Sequence, residues 1–186
     1  MVIEPDSIQP DTKDWTWVLD RSCPECGFDP GSVSRGNLAG RIAAALEPWP
    51  ALLAADSCAV RPQPSTWSRL EYGAHVREVT QLMRRRLEQI LTEDDARFAN
   101  WDQDVAAVEG QYGLQNPRDV AAGIVSGGAA LVTAFGSVPA DAWERQGVRS
   151  NGSRFTAYTL GVYALHDLAH HVWDVTDGVP TPDGPA

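Results

Sequence analysis

Cysteine and histidine are scarce in this chain of 186 residues, which contains three of the first and four of the second. Three cysteines are an odd number and too few for the disulfide framework of a small secreted domain. The first residues contain neither a basic segment nor an apolar one, so the sequence predicts no secretion signal. We therefore expect a cytoplasmic protein with reduced cysteines.

Basic residues are also few. Fifteen Lys and Arg stand against 25 Asp and Glu, which gives a net charge of −10 and a pI near 4.7. A protein that binds nucleic acid or an anionic membrane surface needs a basic face. The apolar stretch 43–55 is interrupted by Glu47, Pro48 and Pro50 and is too short to cross a bilayer. We expect neither nucleic acid nor membrane as a partner.

The sequence predicts four helices and one core, because 43% of the residues are hydrophobic and apolar positions recur at helical spacing. The second helix has the clearest start, since Ser68 and Glu71 form a capping box and Trp67 and Tyr72 can close a hydrophobic staple. The third begins at Asn116, with Pro117 in its first turn. The predicted ranges are 37–55, kinked or interrupted at its two prolines, then 68–91, 116–135 and 155–174.

The chain divides into three parts by composition. Residues 1–36 read as an irregular arm that contains a C-x-x-C motif and lays Trp15 and Trp17 on the domain. Residues 37–175 form the predicted all-α domain, and 176–186 read as a flexible tail. No convincing strand alternation is present, although 140–153 allows a short extended piece. The long connection 92–115 predicts a four-helix bundle with a long crossover, and allows a short helix near 104–109.

Three of the four histidines lie within six residues of the fourth helix. His166 and His170 are four residues apart, which places them on one face, and His75 lies on the core stripe of the second helix. The sequence therefore predicts a metal site of His75, His166 and His170 that holds Zn²⁺, Ni²⁺, Fe²⁺ or Cu²⁺ with an open coordination position. His171 lies roughly 140° around the helix from His166 and is not expected to be a ligand. The competing interpretation is that these are core or surface histidines without a metal.

Two segments resemble the DinB/YfiT-like superfamily. They are Trp67–Val76, with the sequence WSRLEYGAHV, and Leu165–Trp173, with the sequence LHDLAHHVW. The resemblance covers residues 37–175. It implies a four-helix bundle with one histidine on the second helix and an H-x-x-x-H pair on the last. In the mycothiol-dependent maleylpyruvate isomerase branch one ligand of the last helix is a glutamate. That position is His166 here, which is closer to the all-histidine members.

The resemblance also implies a function. It favours a metal-dependent S-transferase that uses a low-molecular-weight thiol, such as mycothiol or bacillithiol, with zinc or nickel as the metal. A metal-dependent hydrolase or lyase is the alternative. A non-catalytic bundle that binds a small molecule and an assembly protein with a C-x-x-C arm are further hypotheses. The expected partners are a small-molecule substrate and a second copy of the chain.

Three carboxylates lie near these motifs, and the sequence allows more than one role for them. Asp174 follows His170 by four residues and Glu71 precedes His75 by four, so each is a candidate to orient a ligand, whereas Asp167 is expected to point away. The competing interpretation is exposed carboxylates and, for Glu71, the helix cap.

The C-x-x-C motif of Cys23 and Cys26 looks like half of a zinc ribbon, and Cys58 is the one other cysteine. The pair can be structural thiols, a zinc site completed by borrowed ligands, or a redox pair.

The charge distribution predicts that the protein does not bind nucleic acid. Arg84, Arg85 and Arg86 are the densest basic run, and successive helix positions spread them over about 200° of the circumference, with acidic residues close by. A gel-shift titration with DNA at about 50 mM salt should show no complex at micromolar protein. Salt-sensitive binding under these conditions would contradict the prediction.

Overall fold

A four-helix bundle forms the body of the molecule. The computed structural model describes residue 8 and residues 13–176. The helices of the described ranges are α1 (Leu38–Leu46), α2 (Trp49–Leu53), α3 (Arg69–Thr92), α4 (Gln103–Glu109), α5 (Pro117–Gly136) and α6 (Ala157–Thr176). Helices α3 and α1 each pack against both α5 and α6, so these four surround the core and the predicted fold class is confirmed.

The first predicted helix is divided in two by its prolines. Helix α1 ends at Leu46 and α2 begins at Trp49, with Pro48 between them and Pro50 in the first turn of α2. This position is compatible with proline, since the first turn of a helix needs no donor from its backbone nitrogen. The sequence allowed either a kink or an interruption, and the structure shows the interruption.

The start of α3 has the cap that the sequence predicts. The Ser68 side chain accepts from the backbone N–H of Glu71, and the Glu71 carboxylate accepts from the backbone N–H of Ser68. The rings of Trp67 and Tyr72 are 5.4 Å apart between centroids, which is the staple. This cap fixes the beginning of the helix two turns before His75.

Helix α5 supplies much of the apolar core. It begins after Asn116, whose side chain accepts from the backbone N–H of Arg118, and buries Ile124, Leu131 and Phe135. Ala130, in contrast, is exposed. By length and composition, α5 is the one helix of the described ranges that could cross a membrane, a test that core helices also pass. One side of it packs against α1, α2 and α3.

A small sheet stands beside the bundle. Its strand order is β1 (Ala96–Phe98), β2 (Gln146–Arg149), β3 (Arg154–Thr156). Strand β2 in the middle pairs in parallel with β1 and antiparallel with β3. The sequence indicated only a short extended piece within 140–153. Strands of three or four residues are too short to show a reliable alternation.

The N-terminal arm packs onto the bundle as predicted. A 3-10 helix at Trp15–Leu19 contacts α6, and a second one at Pro30–Ser32 precedes α1. The predicted tail, 176–186, lies outside the described residues except for Thr176, which ends α6.

The buried cap of α3 leads to a testable pH dependence. Burial by itself would raise the pKa of the Glu71 carboxyl, but hydrogen bonds from Arg61 and Ser68 outweigh it and hold the pKa below its usual value. A carboxylate of this kind stabilises the fold above its unfolded-state pKa, and its contribution disappears as the pH falls through the folded-state value. Glu71→Gln should lower the free energy of unfolding by about 1–3 kcal/mol at neutral pH, and by less in acid.

Urea unfolding at neutral and acidic pH measures this difference. The control is Glu88→Gln on the same helix, where an exposed Arg84–Glu88 pair should contribute about 0–0.5 kcal/mol. Equal losses in the two variants at neutral pH would contradict the account.

Candidate metal centre

The structure divides the three predicted ligands between two groups. His75 lies with Asp167 and His171, which we call the His–Asp–His cluster. His166 and His170 lie with Cys23 and Cys26, which we call the Cys–His cluster. Within each cluster one ligand atom per residue lies within 4.8 Å of every other. The structure therefore brings His166 and His170 together, as the spacing predicts, and places His75 in the other cluster.

Helix packing explains why the three histidines are divided between two clusters. His166 and His171 do face different directions, as the helix angle predicts. Helix α3, however, brings His75 to the side of α6 that carries Asp167 and His171, whereas the N-terminal arm covers the side that carries His166 and His170. Sequence reasoning missed Asp167 and His171. Their spacing of four residues was a signal, but this pair lies only one residue further along the helix than the H-x-x-x-H pair, which has the same spacing.

The His–Asp–His cluster has distances that suit a metal ion. Asp167 Oδ1 is 3.4 Å from His75 Nε2 and 3.4 Å from His171 Nε2. With metal–ligand bonds of roughly 2.0–2.2 Å, two ligand atoms of a tetrahedral site lie about 3.3–3.6 Å apart. Both measured separations fall within this range.

Buried polar atoms without hydrogen bonds mark the same place. The His75 side chain has no exposed surface, and neither of its ring nitrogens has a hydrogen-bond partner. Asp167 Oδ1 is buried without one as well. Such groups cost about 1–3 kcal/mol each when they stay unsatisfied, so their accumulation at one point indicates a missing partner. A cation fits, because it would satisfy both an imidazole nitrogen and a carboxylate oxygen.

Both residue types have the protonation state that a metal ligand needs. Burial lowers the pKa of His75, so its imidazole is neutral at pH 7. Burial acts in the opposite direction on Asp167, but the adjacent His75 and His171 outweigh it and lower the pKa of that carboxyl to about 2. A neutral imidazole and an ionised carboxylate are the forms that bind divalent metals.

A carboxylate behind His171 orients its ring. Asp174 Oδ2 is 2.7 Å from His171 Nδ1 and accepts a hydrogen bond from the N–H of that ring nitrogen. The lone pair of His171 therefore lies on Nε2, the atom next to Asp167. Metal-ligating histidines are typically held in this way.

The structure places the three carboxylates that the sequence singled out. Asp174, a candidate to orient His170, lies 3.7 Å from His170 Nε2 and closer to His171, at 2.7 Å. Asp167 was expected to point away from the site and lies inside it. Glu71 serves the helix cap and pairs with Arg61, as the competing interpretation had it.

Aromatic rings enclose the cluster. Trp101 stacks on His75 with ring centroids 5.2 Å apart, and Trp67 lies 5.7 Å away. Tyr72 covers His171 at 5.2 Å. These rings keep water away from His75 and leave His171 and Asp167 as the residues that face the cavity.

A cavity of about 310 Å³ lies next to the cluster. It suits a small molecule, because ligand pockets begin at roughly 300 Å³. Its lining includes Asp167, His171, Tyr72, Tyr163, Gln103 and Trp15. Among the residues that line it in the described part of the chain, none is a cysteine.

The fold is a four-helix bundle, and its two clusters are candidate metal sites. The chain is similar in structure to YfiT from Bacillus subtilis, described as a probable metal-dependent hydrolase with an unusual four-helix bundle topology. The two are 18% identical with a TM-score of 0.65, and the match covers 78% of this chain and 87% of YfiT. No protein-family model matches the sequence, and no curated protein does.

Proposed function

We propose that the protein is a metal-dependent enzyme that uses the His–Asp–His cluster to act on a small molecule. One observation carries the proposal. Asp167 Oδ1 lies at a tetrahedral separation of 3.4 Å from a ring nitrogen of both His75 and His171 beside a cavity, and the ligand atoms of His75 and Asp167 are buried without hydrogen bonds. His75, Asp167 and His171 would hold the ion, and Asp174 would orient His171. Three protein ligands leave a coordination position open, which is typical of catalytic sites.

A divalent ion in such a site supplies Lewis acidity, which lowers the pKa of a bound water or thiol. Residues of the chain would exclude water and orient the substrate. Trp67 and Trp101 exclude water from the buried side of His75, so the open position faces the cavity. Tyr72, Tyr163 and Gln103 line that cavity and offer polar groups to orient a substrate.

A small thiol is the nucleophile that we propose. The cavity lining of the described chain contains no cysteine, so a sulfur nucleophile would have to be a cosubstrate. The ligand set of two histidines and one carboxylate also has the composition that the resemblance gives to the mycothiol-dependent branch, although its last-helix pair is shifted by one residue. These points support S-transfer by a low-molecular-weight thiol such as mycothiol, with zinc or nickel at the site in a cytoplasmic protein.

Hydrolysis is the second candidate function, and the likeness to YfiT favours it. The same site would then activate water instead of a thiol. The two reactions differ in their dependence on added thiol, so a single assay separates them.

The test uses untagged protein loaded with zinc or nickel. Transfer is measured with mycothiol and 1-chloro-2,4-dinitrobenzene, and hydrolysis with p-nitrophenyl esters without thiol. His171→Ala should bind one equivalent of metal less than the wild type and lose activity, because it removes a ligand. Asp174→Ala should weaken metal binding about 10–100-fold, because it removes the acceptor that holds the ring of His171. Thr176→Ala, an exposed position on the same helix, is the control.

The outcomes separate the alternatives. Metal-dependent turnover that requires the thiol supports the transferase, and turnover without it supports the hydrolase. Metal content that is equal in His171→Ala and Thr176→Ala would overturn the proposed site.

A further inference from the structure

The C-x-x-C segment of the arm forms a tight turn. The backbone N–H of Gly27 donates to the carbonyl of Cys23 at 3.0 Å, and the N–H of Cys23 donates to the carbonyl of Phe28 at 2.8 Å. Gly27 has a φ of +71°, a left-handed conformation that glycine adopts without strain. The turn holds the side chains of Cys23 and Cys26 on the same side.

The two sulfurs of this turn meet the histidine pair of α6. Cys23 Sγ lies 3.7 Å from His170 Nδ1, and the ligand atoms of Cys23, Cys26, His166 and His170 are all within 4.8 Å of one another. A tetrahedral zinc ion with bonds of about 2.3 Å to sulfur and about 2.0–2.1 Å to nitrogen has sulfur–nitrogen edges of about 3.6 Å. The measured separation equals that edge within about 0.1 Å.

Three of the four residues of the cluster are buried. Cys23, His166 and His170 are 1%, 3% and 7% exposed, whereas Cys26 is half-buried, and His166 and His170 also line the cavity. His166 Nε2 is buried and has no hydrogen-bond partner. A buried imidazole nitrogen without a partner beside two thiols indicates a site for an ion.

A carboxylate beside the cluster orients one of the imidazoles. Glu25 Oε2 lies 3.3 Å from His170 Nε2, so this carboxylate attracts the ring proton to Nε2 and leaves the lone pair on Nδ1, which faces Cys23.

We infer that Cys23, Cys26, His166 and His170 form a structural zinc site that clamps the N-terminal arm to α6. The four side chains fill a tetrahedral coordination shell, so the site is closed to substrate. Zinc binding replaces two thiol protons, which pass to solvent. Two thiolates, two neutral imidazoles and Zn²⁺ have no net charge, which suits a buried position.

The clamp places part of the cavity wall. Trp15 of the arm lies with its ring centroid 5.4 Å from His166 and 5.1 Å from His170, and Lys13, Trp15 and Glu25 line the cavity beside the His–Asp–His cluster. The inference stands independently of the proposed function, because the two clusters use different ligands.

Cobalt substitution of the untagged full chain tests the inference. Thiolate ligation gives Co²⁺ an intense near-ultraviolet charge-transfer absorption, which a site of histidine and carboxylate lacks. The wild type should bind two equivalents and show the band. Cys23→Ser/Cys26→Ser should bind one equivalent without the band, whereas His171→Ala should bind one equivalent and keep it. Cys58→Ser, which changes the cysteine outside both clusters, should behave as the wild type.

Each result has one meaning for this site. A wild type that binds one equivalent with the band supports the clamp and contradicts the proposed catalytic site. A wild type that binds metal without the band overturns the clamp, whatever the proposed function.

A second measurement covers the case in which the cysteine variant does not fold. In an Ellman titration of the wild type, two thiols should react only after a chelator is added. Limited proteolysis should also become faster within residues 13–30 when the chelator is present. Two thiols already joined as a disulfide in freshly purified protein, or thiols that react equally with and without chelator, would overturn the inference.

Discussion

One residue of offset on α6 is the constraint on which the rest of the structure depends. Two pairs with a spacing of four, His166 with His170 and Asp167 with His171, overlap along the same two turns. Each step along a helix turns the side chain by about 100°, so the two pairs face different partners. Helix α3 meets one pair with His75, and the arm meets the other with two cysteines. Neither cluster would assemble if α6 were rotated by one residue.

Both clusters combine buried polar groups with a carboxylate that orients a histidine. Asp174 holds His171 at 2.7 Å and also lies 3.7 Å from His170, so this one side chain stands behind both clusters. The buried ring nitrogens of His75 and Nε2 of His166 have no hydrogen-bond partner among the described residues, and leaving them unsatisfied would be costly in a domain of ordinary stability. One cation in each cluster would satisfy these buried nitrogens. The two ions would also link the arm to the bundle on either side of the cavity.

Much of the fold could be predicted from local signals. The Ser68–Glu71 cap, the Asn116–Pro117 start and the helical stripes are encoded within a few residues, so the long helices lie within one or two residues of their predicted ends. Strands β1 and β3 were missed because three residues carry too little pattern, whereas β2 lies within the extended piece that the sequence allowed at 140–153. The grouping of the ligands could not be derived from local signals, since it depends on which face of α6 turns toward α3. Both overlapping pairs satisfied the spacing rule, and only the packing distinguishes them.

Anomalous diffraction at the zinc edge from crystals of zinc-loaded, untagged protein tests the central claim most directly. The account predicts two separate peaks. One lies about 2.0–2.2 Å from His75 Nε2, His171 Nε2 and Asp167 Oδ1, and the other lies about 2.3 Å from the sulfurs of Cys23 and Cys26. A single peak shared by His75, His166 and His170 would contradict it, because the two faces of α6 would then serve one ion.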